Sequence, residues 1–296
     1  MEDGEALLKL AAFPKCYMDD ICIHHTMTVF DWIALAGEAL IPLGVTGLEM
    51  YHGTLLSHEP GYLAEVRAAH EAAGLVCPMF CASPDFTSPD PAHREAEMER
   101  QRGMVATAAA LGAGYCRVLS GQRRPEVSRE QGIDWVVACI KALIPFAADH
   151  NVVLIIENHF KDNYWQFPEF AQKMDLFCEI VARIESPWFG VNFDPSNTLL
   201  ANEDPLELLR RVAPRVVTMH ASDRRPKPGV EIGPEGITDY TQLIHGEVGT
   251  GIIDYDAIFS ILNSVGFDGW ISIEDGVNGM EELQRSARYL AGKMNL

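Results

Sequence analysis

Four apolar runs in the second half of this chain each stop on a residue that binds metals. Val152–Ile156 gives way to Glu157 in VVLIIENHF, and Phe189–Phe193 to Asp194 in FGVNFDPSN. Val216–Met219 gives way to His220 in VVTMHASD, and Trp270–Ile273 to Glu274 in WISIED. Short runs that are apolar on both faces and rich in β-branched residues read as strands of a parallel sheet covered on both sides. A carboxylate at the end of such a strand is costly to bury unless a cation pairs it. Four consecutive strands with this ending require a fold that brings strand ends together.

The rest of the chain repeats the same strand-then-helix unit. Further strands are expected at Leu7–Phe13, Val45–Met50, Leu75–Phe80 and Tyr115–Leu119. Helices are expected at Thr28–Leu40, Pro60–Ala73, His93–Leu111, Arg129–His150, Pro168–Ile184, Asp204–Val212, Tyr255–Val265 and Gly279–Met294. Asp223–Gly251, rich in Gly and Pro, reads as a long connection without a helix. Eight units of roughly 30–35 residues predict an α/β chain folded as a (β/α)8 barrel, one domain over residues 1–296. A doubly wound sheet would want a Gly-rich phosphate loop after an early strand, and the chain has no G-x-G-x-x-G.

Strand ends converge at the C-terminal face of a barrel. Glu157, Asp194, His220 and Glu274 are therefore expected to ring one pocket. Three carboxylates and an imidazole form a hard shell for one divalent ion. Mn²⁺ is the first choice, and Mg²⁺, Co²⁺, Zn²⁺ and Fe²⁺ also suit such donors. His159, two residues past Glu157, is a general-base candidate near neutral pH. Lys161 and Trp165 follow it as substrate-binding candidates, Trp165 by stacking on a sugar face. Glu49, beside Tyr51 and His52 at the end of the second strand, is a candidate for holding a ligand or a sugar hydroxyl. Arg224 and Arg225 follow the histidine strand, and His245 has no assigned role.

The formal charge is −19, with 23 Lys and Arg against 42 Asp and Glu. That balance argues against nucleic acid and anionic membrane surfaces, both of which reward basic residues. The opening MEDGEALLKLAAFPK has no basic n-region, and no run reaches the roughly 18 apolar residues of a membrane span. Seven cysteines without framework spacing read as reduced core thiols of a cytoplasmic protein. Cys77 and Cys81 do not suit a soft-metal pair, because a strand spaces such positions about 13 Å apart.

IIENH, VNFDPSN, TMHASD and ISIED resemble the strand-end motifs of the sugar isomerase/epimerase branch of the xylose-isomerase-like TIM barrels. That branch includes ketose 3-epimerases, inosose dehydratases and hydroxypyruvate isomerase. HGEVGTGIIDYDAIFSILNSVGFDGWISIE is similar to its Gly-rich loop, helix and last strand. The resemblance implies a metal set of Glu157, Asp194, His220 and Glu274. It implies proton transfer next to a carbonyl through a metal-stabilised enediolate, with Glu157 and Glu274 exchanging the proton on opposite faces. It also implies a substrate-binding role for Arg224. Asn197 stands where the epimerases usually carry a histidine, and the resemblance implies that it binds the same substrate hydroxyl without acting as a cation. His159 instead resembles the barrel subunits of C-glycoside deglycosylating enzymes, which use a metal and a histidine base to eliminate an aromatic aglycone from a 3-oxo-sugar. The implied function is a metal-dependent sugar isomerase/epimerase, with a metal-dependent lyase using His159 as the alternative. A DNA-repair endonuclease on this barrel and a non-catalytic sugar-binding barrel fit less well. The first would carry more His ligands and the second a broken ligand set. The expected partner is a small sugar or glycoside, unphosphorylated for want of a Lys/Arg clamp. The chain is expected to form a homo-oligomer, or a hetero-oligomer under the lyase reading.

Overall fold

Parallel strands covered on both faces have no wet side, so Val, Ile, Leu and Phe fill them. A computed structural model describes residues 8–233, 239–275, 277–294 and 296. The strands, in chain order, are β1 (Lys9–Ala12), β2 (Val45–Leu48), β3 (Met50–Tyr51), β4 (Met79–Cys81), β5 (Tyr115–Val118) and β6 (Val153–Glu157). They continue with β7 (Phe189–Phe193), β8 (Val216–Ala221), β9 (Asp223–Pro226), β10 (Leu243–Gly246) and β11 (Trp270–Ile273).

The main sheet runs β2-β1-β11-β8-β7-β6-β5-β4-β3, and every neighbouring pair is parallel. Its two ends, β2 and β3, are successive pieces of one stave interrupted at Glu49, so the sheet closes into a ring of eight staves. The Leu48 N–H donates to the Val76 carbonyl at 2.8 Å and helps to seal that seam. Helices Val29–Leu40, Pro60–Ala72, Pro91–Leu111, Arg129–Asp149, Met174–Ala182, Pro205–Val212, Tyr255–Ser264 and Met280–Met294 form the outer layer. Thr28 and Asp31 close the first of these with a reciprocal capping box. Gly112, at a φ of +81°, ends the Pro91–Leu111 helix.

Arg129–Asp149 is, among the described residues, the one helix long and apolar enough to cross a membrane by length and composition. Its Ile133, Val136, Ile140 and Leu143 are buried in the barrel's shared core, which explains the apolar face without a membrane.

Several expectations change, among them the strand expected at Leu75–Phe80, which is found only at Met79–Cys81. Leu7 lies outside the described residues, and β1 begins at Lys9. The helix expected from Pro168 starts at Met174, after a 3-10 turn at Phe170–Gln172. The Pro168 carbonyl accepts from the Arg123 N–H at 2.8 Å, and the Glu169 N–H donates to the Phe160 carbonyl at 3.0 Å. These tertiary bonds hold the segment extended against its helical pattern. The Asp223–Gly251 connection contains an antiparallel hairpin of β9 and β10, with residues 234–238 outside the described set. One carboxylate gathers its base: Asp223 accepts from the N–H groups of Gly249, Gly251 and Ile253 at 3.0, 2.9 and 3.2 Å.

Candidate active site

The barrel brings the four expected ligands together. Donor atoms of Glu157, Asp194, His220 and Glu274 all lie within 4.8 Å of one another. The first three are buried and the Glu274 side chain is 14% exposed. His220 Nδ1 is the focus, 3.3 Å from Glu157 Oε1 and 3.0 Å from Glu274 Oε2. Asp194 caps the short helix Pro195–Leu200: its Oδ1 accepts from the N–H groups of Ser196 and Asn197 and from the Ser222 hydroxyl.

Residues of the other half of the barrel hold this set in place. Glu49 is fully buried, and both its oxygens sit within 3.1 Å of His220 Nε2. A proton on Nε2 satisfies that contact and leaves the Nδ1 lone pair facing the carboxylates, which is how second partners orient metal-binding histidines. Glu49 therefore lies on the Nε2 side of His220, opposite the Nδ1 side that faces Glu157 and Glu274. Cys81 donates to Glu49 at 2.8 Å, whereas Cys77 points to the Met79 carbonyl. Arg117 donates to Glu157 Oε2 at 2.6 Å, and Lys15 donates to Glu274 Oε1 at 2.8 Å. Asn197 Nδ2 donates to Glu157 Oε1 at 3.2 Å.

The donor set fits a divalent cation. Burial opposes a charged imidazole at His220, yet Glu49, Glu157 and Glu274 outweigh it and hold its pKa well above the usual value. Burial, followed by the like charges of Glu274 and Glu157, pushes the Asp194 carboxyl up. Both shifts mark a buried excess of negative charge drawing protons to a place where a cation would relieve it.

Beside the ligands lies a cavity of about 330 Å³ whose lining includes Lys15, Tyr51, Arg117, His159, Lys161 and Glu274. His159 is backed by Glu169, whose Oε2 lies 3.7 Å from Nδ1, an ion-pair separation. Glu169 is fully buried and accepts from both the N–H and the hydroxyl of Ser120. Burial pulls the imidazole's pKa down, but Glu169 and Glu157 raise it above its usual value. Trp165 stands apart, in a neighbouring cavity that also includes His52. Arg224 is half-buried on β9, opposite His245 of β10 and within electrostatic reach of Asp194 and Glu274. Arg225 is exposed.

Sequence reasoning missed Lys15, Arg117 and Glu169. Arg117, a lone charge inside the apolar run YCRVL, carried a usable signal, because a buried guanidinium must find a carboxylate. Lys15 sits just past the first strand, where the barrel rule places functional side chains. Glu169 carried no sequence signal, since its segment has a helical pattern.

Residues 38–292 match the family described as the xylose isomerase-like TIM barrel, and the chain belongs to that family. Within it, one segment is 29% identical over 158 residues to the inosose dehydratase of Clostridium botulinum (strain Eklund 17B / Type B), covering 51% of each chain. Another is 30% identical over 125 residues to the 3-oxo-isoapionate decarboxylase of Pectobacterium atrosepticum, covering 42% of this chain and 40% of that one. The chain thus spans about half the length of the curated relatives it matches. The fold superposes on the crystal structure of the IOLI protein with a binding zinc atom with a TM-score of 0.73 at 16% identity, covering 97% of each chain.

Proposed function

We propose that this chain catalyses divalent-metal-dependent proton abstraction next to a carbonyl of a sugar-like substrate, and that the outcome is elimination. Glu157, Asp194, His220 and Glu274 would hold the ion, Mn²⁺ for preference. When bound, the ion supplies Lewis acidity that draws negative charge from a substrate carbonyl.

One observation carries the choice of elimination over epimerisation. A two-glutamate epimerase needs a spare oxygen on each outer glutamate. Here the second oxygen of Glu157 is engaged by Arg117 and that of Glu274 by Lys15. His159 lines the cavity, lies outside the donor set, and has Glu169 behind its Nδ1. In this reading Nε2 of His159 takes the proton from the carbon beside the carbonyl, and Glu169 stabilises the imidazolium that forms. The C–H electron pair becomes the new double bond as the bond to the leaving group breaks. The Lys15 ammonium, on the same cavity wall, protonates the departing oxygen. The dehydratase and the decarboxylase relatives, whose names describe lyase reactions, support this reading. The epimerase reading retains one support, the placement of Glu157 and Glu274 on staves that flank β7 and β8.

The test uses Mn²⁺-loaded enzyme with an inosose and with a 3-oxo-glycoside. His159→Ala is expected to lower the elimination rate by roughly 10²- to 10⁴-fold. Full activity of His159→Ala, with solvent-deuterium exchange abolished in Glu274→Gln, would instead establish the two-glutamate epimerase.

A further inference from the structure

We propose that Asp162, at the junction of the catalytic cavity and a second one beside it, binds a protonated primary amine. That the amine is a substituent of the substrate rests on the elimination reading above. The catalytic cavity of about 330 Å³ and the neighbouring cavity of about 470 Å³ share Tyr51, Asp162 and Tyr164 in their linings. A group held at Asp162 therefore borders both.

Asp162 is a charge without a counter-charge. It is 8% exposed, and among the described residues it forms no ion pair. Its Oδ1 accepts from the Tyr164 N–H at 2.9 Å, and no described residue donates to Oδ2. The guanidinium and ammonium groups nearest the two cavities are engaged elsewhere. Arg117 is held by Glu157, Arg124 by both oxygens of Asp85, and Lys15 by Glu274. Arg100 lies 3.6 Å from Glu97. Lys161 and Asp19, which also line the catalytic cavity, are exposed to solvent. In the second cavity, Asp85, Glu97 and Asp162 stand against Arg100 and Arg124, which leaves one negative charge. His52 does not offset it near pH 7, because burial, then Arg100 and Arg117, lower its pKa to about 4 against the pull of Asp162.

A carboxylate stripped of most of its water and left unpaired is costly, and a cationic ligand relieves that cost. One carboxylate offers too few oxygens for a divalent ion. An ammonium group suits the site better, because Tyr51, Tyr164 and Trp165 line the second cavity with Asp162, and aromatic surface attracts such a cation. Burial, followed by Asp162, raises the pKa of the Tyr51 phenol, so this wall gains no second negative charge. The carboxylate is also held in place. The Trp165 N–H donates to the Asp162 carbonyl at 3.1 Å, and Gln122 Oε1 accepts from the N–H groups of Gln166 and Phe167 at 2.9 and 3.2 Å. A fixed partner costs little ordering when a ligand binds.

Isothermal titration of Mn²⁺-loaded protein with scyllo-inosamine and scyllo-inositol tests the proposal, at about pH 6, where an alkyl amine is protonated. The two probes differ by an ammonium in place of a hydroxyl. All ring positions of scyllo-inositol are equivalent, so the ammonium can be presented at any of them. The amine is expected to bind about tenfold more tightly. Asp162→Asn, which keeps an oxygen for the Tyr164 N–H, should bring the two Kd values within about twofold and leave that of scyllo-inositol unchanged. Equal Kd values in the wild type, or a preference that survives Asp162→Asn, would overturn the site. Ethanolammonium against ethylene glycol, with and without Mn²⁺, separates the two sources of the amine. Binding of scyllo-inosamine that weakens about tenfold on Mn²⁺ removal places the amine on the substrate. An Asp162-dependent preference for both amines that ignores Mn²⁺ would sink that placement and leave a site for a free amine. If turnover proves insensitive to His159→Ala while the Asp162-dependent preference persists, the elimination reading fails and the amine site stands.

Discussion

In the C-terminal half of the barrel the strand ends present Glu157, Asp194, His220 and Glu274 as one donor cluster. In the N-terminal half they present Lys15, Glu49 and Arg117, none of which belongs to that cluster. Yet each of the three touches a member of it: Lys15 touches Glu274, Arg117 touches Glu157, and Glu49 touches His220 from 171 residues away. The first half thus supplies the counter-charges and the orientation that the second half needs. The difference separates residues that would ligate from residues that would aim the ligands.

That separation can be broken most sharply at Asp194. Asp194→Asn should abolish stoichiometric Mn²⁺ binding by EDTA-treated, reconstituted protein, as read by metal analysis. Unchanged affinity would remove Asp194 from the ligand set. Next in size is Arg117→Met in the metal-free protein, which leaves Glu157 buried without its counterion and should cost about 3–5 kcal/mol of stability by calorimetry. A variant as stable as the parent would mean that Glu157 is neutralised by other means. Glu49→Gln should weaken Mn²⁺ binding by roughly 10- to 100-fold while keeping the stoichiometry, as expected of a residue behind a ligand. If Glu49→Gln lost the metal altogether, the two halves would not differ as drawn.

The smallest effect lies outside the ligand cluster, at Asp85. Burial raises its carboxyl, but the bonds from Arg124 and Gln122 outweigh burial and hold it below its ordinary value. A depressed folded pKa means the contribution is present above the ordinary carboxylate range and is lost as pH falls through the lower folded value. The melting-temperature lead of the wild type over Arg124→Gln should therefore shrink as pH drops from about 6 to about 3, by an amount equivalent to about 1 kcal/mol. A lead independent of pH would mean the pair contributes by packing alone.

Much of this organisation was legible in the residues. Period and apolar runs announced eight staves, because a parallel barrel leaves no doubt about which positions are buried. The four clustered donors were legible because each terminates such a run. Glu49 was noticed, but whether it faced a substrate or a histidine depended on contacts across the barrel. Arg117 announced only that it needed a partner. Glu169 was hidden, since the bonds that pin Pro168 and Glu169 come from distant segments and override a local helical pattern. The β9–β10 hairpin was hidden in the same way, because its base is gathered by one carboxylate, Asp223, acting on three distant backbone groups.

Asp194 joins two scales of the molecule. Its Oδ1 is the N-cap of Pro195–Leu200 and also accepts from Ser222 on the next stave, and none of these contacts involves Oδ2. An ion drawn to this carboxylate would pull on the same group that starts the helix. Occupancy of the site would then be written into backbone amide protection at Ser196 and Asn197, two residues that need not touch the ion. If the site takes up an ion, hydrogen exchange at these two amides would gauge its loading without any turnover.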